Sequence, residues 1–129
     1  MKKTIWVVDD DSIFKIIIKK LIAKFENFEN VVTFSNGEEA LESLNQIIQT
    51  NEKPPDIILL DIEMPLMDGW EFMNQIDHLK DYFKNNPLNI FILSSSIAFE
   101  DKLKAEKNEN VTGYITKPIT LEDLSKVVS

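Results

Sequence analysis

Apolar positions along the chain fall into two alternating regimes: short unbroken runs, and longer stretches in which they recur every three or four residues. The first run, Thr4 to Val8, is β-branched and aromatic and stops at Asp9, Asp10 and Asp11, which predicts a buried strand carrying acids at its carboxyl end. Phe14, Ile17, Ile18, Leu21, Ile22 and Phe25 then keep helical spacing, with Asp11 or Ser12 as cap and Lys15, Lys19, Lys20 and Lys24 on a solvated face. Val31 to Phe34 predicts a second strand. Ser35-Asn36-Gly37-Glu38 has capping-box order, and Ala40, Leu41, Leu44, Ile47 and Ile48 give the next helix its apolar face. After Lys53-Pro54-Pro55 breaks the helical pattern, Asp56 to Asp61 reads as a central strand buried on both faces. Asp68-Gly69 opens a third helix, with its stripe at Phe72, Met73, Ile76, Leu79 and Phe83, and Asn85-Asn86-Pro87 ends it. Asn89 to Leu93 is a fourth strand ending at Ser94-Ser95-Ser96, and a weakly amphipathic helix follows near Phe99 to Glu106. Val111 to Thr116 is a fifth strand, and Lys117-Pro118 leads into a short helix carrying Leu121, Leu124, Val127 and Val128.

Five strands alternating with five helices imply an α/β fold with a doubly wound parallel sheet, because each crossover must cover a sheet face. The 129 residues suit one domain with no appended output domain. Composition narrows the chemistry. With no cysteine, disulfides, thiolate metal sites and cysteine nucleophiles drop out together. A net charge of −8 argues against direct nucleic-acid or anionic-membrane binding. The opening apolar run is too short for a signal peptide and no stretch is long enough for a membrane span, so a cytoplasmic protein is expected.

In an open parallel sheet, ligands bind beyond the carboxyl ends of the strands. The polar residues gather there: Asp9, Asp10 and Asp11 after strand one, Asp61 and Glu63 after strand three, Ser94 to Ser96 after strand four, Lys117 after strand five. Helix capping alone would account for Asp9-Asp10-Asp11 about as well as a binding site would. The second acidic cluster tips the balance. Carboxylates within ~4 Å repel by roughly 4 kcal/mol per pair at an effective dielectric near 20, so they neutralise or hold a cation. The donors are all oxygen and too few to enclose an ion, which favours Mg2+ keeping several waters over a caged Ca2+. The sole histidine, His78, sits towards the polar side of its helix, and zinc is disfavoured.

Four segments in order resemble receiver domains of two-component signalling: Val7-Val8-Asp9-Asp10, Leu59 to Gly69 around Asp61, Leu93-Ser94-Ser95, and Tyr114-Ile115-Thr116-Lys117-Pro118. The resemblance covers nearly the whole chain and implies a flavodoxin-like (βα)5 sheet of order 2-1-3-4-5, which comes with the family and not from the residues. It implies that Asp61 is phosphorylated, and that Asp10, Asp61 and, directly or through water, Asp9 hold Mg2+ with the Glu63 carbonyl. Ser94 would bond the phosphoryl oxygen, Lys117 would offset its charge, and the Lys117-Pro118 turn would be cis. Ser94 stands where threonine is more usual, and Trp70 where an aliphatic residue is commoner. Glu63 and Ser96 occupy positions that tune dephosphorylation in such domains.

The same resemblance implies a switch in which Ser94 is coupled to Tyr114 and the surface of the fourth helix, fifth strand and fifth helix is rebuilt. That surface would meet a protein target or a second copy of the chain. A histidine kinase or histidine phosphotransfer protein would supply the phosphoryl group, and the chain would catalyse only its own phosphorylation and dephosphorylation. Moving the population from 1:99 to 99:1 needs about 5.5 kcal/mol, most of which two charge-assisted bonds at roughly 1.5–3 kcal/mol each could supply. Two competing readings are a Mg2+-dependent phosphatase of the haloacid-dehalogenase class, whose Asp-x-Asp-x-Thr signature is missing, and a degenerate receiver acting only as a binding module.

Overall fold

Successive strand residues face opposite sides of a sheet, so an apolar run of four or more must bury both faces. The computed structural model describes residues 3–95 and 99–128, leaving aside the side chain of Phe99. Its strands are β1 (Lys3–Val8), β2 (Phe28–Phe34), β3 (Ile57–Asp61), β4 (Asn89–Ser94) and β5 (Gly113–Thr116). They pair in parallel in the order β2-β1-β3-β4-β5, the order the family resemblance implies.

The helices are α1 (Ser12–Ile22), α2 (Gly37–Thr50), α3 (Gly69–His78), α4 (Lys80–Asn85), α5 (Phe99–Lys107) and α6 (Leu121–Val128). On one face Ile5, Val7, Ile57 and Leu59 join Ile18 and Ile22 of α1 and Leu124 and Val127 of α6. On the other, Trp6, Val8, Ile58, Leu60, Ile90 and Ile92 meet α2, α3 and Ala105 of α5. Each fully buried Ile or Leu in this double core contributes about 1.5–3 kcal/mol relative to exposure, which fixes strand register firmly.

Three expectations need correction. Six helical segments, not five, are present among the described residues, because the stretch expected to run through Phe83 breaks at Leu79. There the Leu79 N–H turns back to the Ile76 carbonyl at 2.9 Å, and the bend keeps both Leu79 and Phe83 against the core. Ile17 is half exposed, lying beside Ile13 and Ile16 on the outward side of α1, while Ile18 and Ile22 fill the seam with the sheet. The cap of α2 is Asn36, whose side chain accepts from the Glu39 N–H at 2.9 Å; Glu39 in turn reaches back to the Ser35 N–H at 2.8 Å, so the box is displaced by one residue. The complete capping box lies at α3, between Asp68 and Glu71.

Candidate functional site

Parallel register decides which side chains meet. Val8 pairs with Leu60, Asp61 with Leu93 and Ser94 with Thr116, so β1, β3, β4 and β5 end at one level. The next residues, Asp9 and Lys117, therefore emerge beside Asp61. They enclose a cleft of about 330 Å3 lined by Asp9, Asp10, Asp61, Glu63, Ser94 and Lys117, among others. A cleft of about 480 Å3 opens near the starts of β4 and β5, but its lining includes a single acid, Glu109, so convergent charge marks the site better than size.

Three consecutive aspartates have three different roles. Asp9 is fully buried; its Oδ1 accepts from the Asp11 N–H at 2.9 Å and its Oδ2 from Lys117 Nζ at 2.6 Å. Asp10 remains exposed at the mouth. Asp11 is the α1 cap, its Oδ1 accepting from the N–H groups of Ile13 (3.0 Å) and Phe14 (3.1 Å). Capping and site building thus both hold, for different residues.

Asp61 has its side chain only 10% exposed, with Oδ1 3.5 Å from Lys117 Nζ. Burial, and secondarily the charge of Asp9, push its pKa up from 3.8 to about 6, against the opposing pull of Lys117. For Lys117, burial disfavours the ammonium, but the hydrogen bond and charge of Asp9 together with Asp61 outweigh it and raise the pKa. One ammonium faces three carboxylates, so the cleft carries excess negative charge. Asp9, Asp10 and Asp61 can each present an oxygen within 4.8 Å of the others, a hard-donor set that suits a divalent cation. The Glu63 side chain is exposed at the rim.

Ser94 is buried, its carbonyl accepting from the Lys117 N–H at 2.8 Å, and the Lys117-Pro118 bond is cis. Strand alternation puts Ser94 on the same face as Ile92, and Tyr114, paired with Ile92, packs half-buried in the cluster that includes Ala105 of α5. Ser96 lies outside the described residues. His78 is exposed, as expected.

The loop after β3 is braced closely. A Cβ on Gly69 would lie 2.6 Å from the Asp61 carbonyl oxygen and 2.9 Å from Ile62 Cα, and the Gly69 N–H donates to the Ile62 carbonyl at 2.8 Å. Only a residue without a side chain allows that approach. Leu66, 77% exposed at φ 67°, takes the left-handed conformation that lets the loop turn, and the Met67 carbonyl accepts from Gly37 N–H. Three contacts escape sequence reasoning. Trp70 Nε1 donates to Asp101 of α5 at 3.4 Å, with Lys104 Nζ 5.6 Å from its ring, and Phe14 lies with its ring centroid 4.5 Å from Lys117 Nζ.

Comparison with known proteins gives a consistent result. A family model described as response regulator receiver domain matches residues 5–129. Chemotaxis protein CheY of Halobacterium salinarum is 30% identical over 129 residues, covering 100% of this chain and 96% of that protein. The structure of a two component response regulator from Cytophaga hutchinsonii superposes with a TM-score of 0.84 at 31% identity, covering 98% of this chain and 95% of that one. The Mn(2+)-bound form of response regulator Rcp1 superposes at 0.76 with 27% identity, covering 98% and 88%. Other relatives are longer: the chain spans 33% of a protein-glutamate methylesterase/protein-glutamine glutaminase of Methanococcoides burtonii, at 31% identity and with 98% of this chain covered.

Proposed function

From the premise that this chain belongs to the response-regulator receiver family, whose members are phosphorylation-dependent switches of two-component systems, we propose that Asp61 is its phosphoacceptor. The observation that carries this reading is the convergence of Asp9, Asp10 and Asp61 on one cleft, with Lys117 reaching both Asp9 and Asp61. Asp61 is mostly ionised at neutral pH and so available as a nucleophile. Its carboxylate oxygen attacks the phosphorus of a phosphohistidine on a histidine kinase or histidine phosphotransfer protein. The P–N bond breaks, and its electron pair remains on the imidazole nitrogen. Lys117, already 3.5 Å from Asp61 Oδ1, turns towards the phosphoryl oxygens, and the Ser94 hydroxyl donates to one of them.

The donor set fits Mg2+, which the carboxylates of Asp10, Asp61 and, directly or through water, Asp9 would hold together with the carbonyl of Glu63. When bound, it supplies Lewis-acid neutralisation of charge on the transferring group. That the neighbour Rcp1 has a Mn(2+)-bound form supports the reading that this chain takes a divalent cation. Turnover is confined to the chain's own phosphorylation and dephosphorylation, which distinguishes it from a phosphatase. Among the described residues no helix is long and apolar enough to cross a membrane; the cytoplasmic location belongs to this proposal through the family alone.

The output surface is α5, β5 and α6, reached from Ser94 at the end of β4 through the sheet face it shares with Tyr114 of β5; a protein target or a second copy of the chain would dock there. Incubation with Mg2+ and a small acyl phosphate, followed by intact-mass measurement, tests the core of the reading. The expected result is one added phosphoryl group, absent in Asp61→Asn. Stoichiometric labelling that survives the substitution would overturn it.

A further inference from the structure

Phe14 belongs by spacing to the apolar stripe of α1, yet its ring also meets Lys117, the one cation of the cleft among the described residues. Its centroid is 4.5 Å from Lys117 Nζ, within the range over which an ammonium is attracted to an aromatic face. The contact closes a loop. Lys117 Nζ donates to Asp9 Oδ2 at 2.6 Å, Asp9 Oδ1 accepts from Asp11 N–H at 2.9 Å, and Asp11 Oδ1 accepts from Phe14 N–H at 3.1 Å. The residues that cap α1 thereby set the ring against the same ammonium that Asp9 holds. With the Lys117 side chain only 17% exposed, little water competes for it.

We propose that Phe14 is a positioning residue for phosphorylation of Asp61, acting through Lys117; this rests on the reading of Asp61 as phosphoacceptor. A hydrogen bond ties the ammonium to one acceptor in one direction, whereas the face of a benzene ring attracts a cation broadly. Lys117 must exchange its partner, from Asp9 at 2.6 Å to a phosphoryl group on Asp61, whose Oδ1 is now 3.5 Å away. A ring behind it keeps the charge within the cleft during that exchange without favouring either acceptor. An aliphatic side chain would fill the space and provide no such hold, so Lys117 would spend more of its time drawn to solvent.

Phe14→Leu and Phe14→Tyr separate packing from the ring face, with Phe14→Ile in reserve should the leucine variant fail to fold. Phosphorylation by a small acyl phosphate with Mg2+ should slow by about three- to tenfold in Phe14→Leu and stay within about twofold of wild type in Phe14→Tyr. By NMR, the Lys117 ε-methylene protons should show a ring-current shift in the wild type and the tyrosine variant that the leucine variant loses. Unchanged rates in Phe14→Leu, equal slowing in both variants, or identical Lys117 shifts in all three proteins would overturn the proposal. A wild-type protein that takes up no phosphoryl group would instead sink the reading of Asp61, while its Lys117 shifts would still report the contact.

Discussion

Removing the charge of Asp61 should stabilise the fold. In the absence of a divalent cation the carboxylate is buried beside Asp9, and the Lys117 ammonium that faces both is held closer to Asp9. Its pKa rises from 3.8 to about 6, so the folded state binds the proton more tightly than the unfolded chain does. A raised carboxyl pKa costs nothing at pH values below the unfolded pKa, and the cost is complete above the folded one. At about 1.4 kcal/mol per pH unit, the rise corresponds to ~3 kcal/mol of destabilisation at neutral pH. Asn mimics the protonated form in shape and charge, so Asp61→Asn should be more stable than wild type by up to that amount near pH 7. The gain should fall away between about pH 6 and pH 4. Denaturant unfolding in the presence of a chelator, followed across that window, provides the measurement. A variant no more stable than wild type at neutral pH would refute the electrostatic account, as would a gain that persists unchanged at pH 4. Saturating Mg2+ should shrink the difference, since a cation held by the carboxylates stabilises the wild type by mass action.

The neighbours of Asp61 should respond differently. Lys117→Ala leaves Asp9 buried without its cation and should cost about 3 kcal/mol in chelator, the opposite sign to Asp61→Asn; a neutral result in the same unfolding assay would mean that the 2.6 Å ion pair does not stabilise the fold. Gly69→Ala drives a Cβ into the Asp61 carbonyl and Ile62 backbone, which cannot yield as a side-chain tip would; a loss of ~1–3 kcal/mol and slower acyl-phosphate labelling are expected, and wild-type values for both would contradict the close approach. Trp70→Phe removes the indole donor to Asp101 and weakens the Lys104 contact. It should cost about 1 kcal/mol and speed amide exchange in α5 more than in the central strands, whereas uniform acceleration would show that no local brace was lost.

Much of this arrangement is legible in the chain because the central strands are continuous apolar runs that end on polar residues. Ile57 to Leu60 could hardly be anything but a doubly buried strand, and Asp61 is then placed at its carboxyl end. Position within a homogeneous run is not legible. Asp9, Asp10 and Asp11 are one repeated letter, and only the register of β1 against β3 decides which is buried, which is open and which caps α1. Helical spacing marks Phe14, Ile17 and Ile18 alike as core, although the packing of α1 on the sheet buries Ile18, exposes Ile17 and leaves Phe14 against Lys117. Trp70 and Asp101 are 31 residues apart, with no pattern linking them until the fold brings the start of α3 to α5. The break at Leu79 has no proline or glycine to announce it, because the bend serves tertiary packing of Leu79 and Phe83.

Asp61 is more than an acid at a strand end, because its surroundings are electrostatically unfinished. Three carboxylates against one ammonium make a cleft stabilised by whatever positive charge enters and rearranged by whatever negative charge is added. A phosphoryl group on Asp61 would compete with Asp9 for Lys117 and draw on the buried hydroxyl of Ser94, in the strand that pairs with β5. Ser94 shares a sheet face with Tyr114, and that face is covered by α5, among whose described side chains only Ala105 is buried. A second line of contact reaches the same helix from the backbone, where Gly69 lies on the Asp61 carbonyl and the adjacent Trp70 bonds Asp101. Both lines begin at Asp61 and converge on α5, where Ala105 is the one buried side chain among those described. A helix anchored so lightly can move at small free-energy cost, which makes it the element whose position the charge state of Asp61 is best placed to decide.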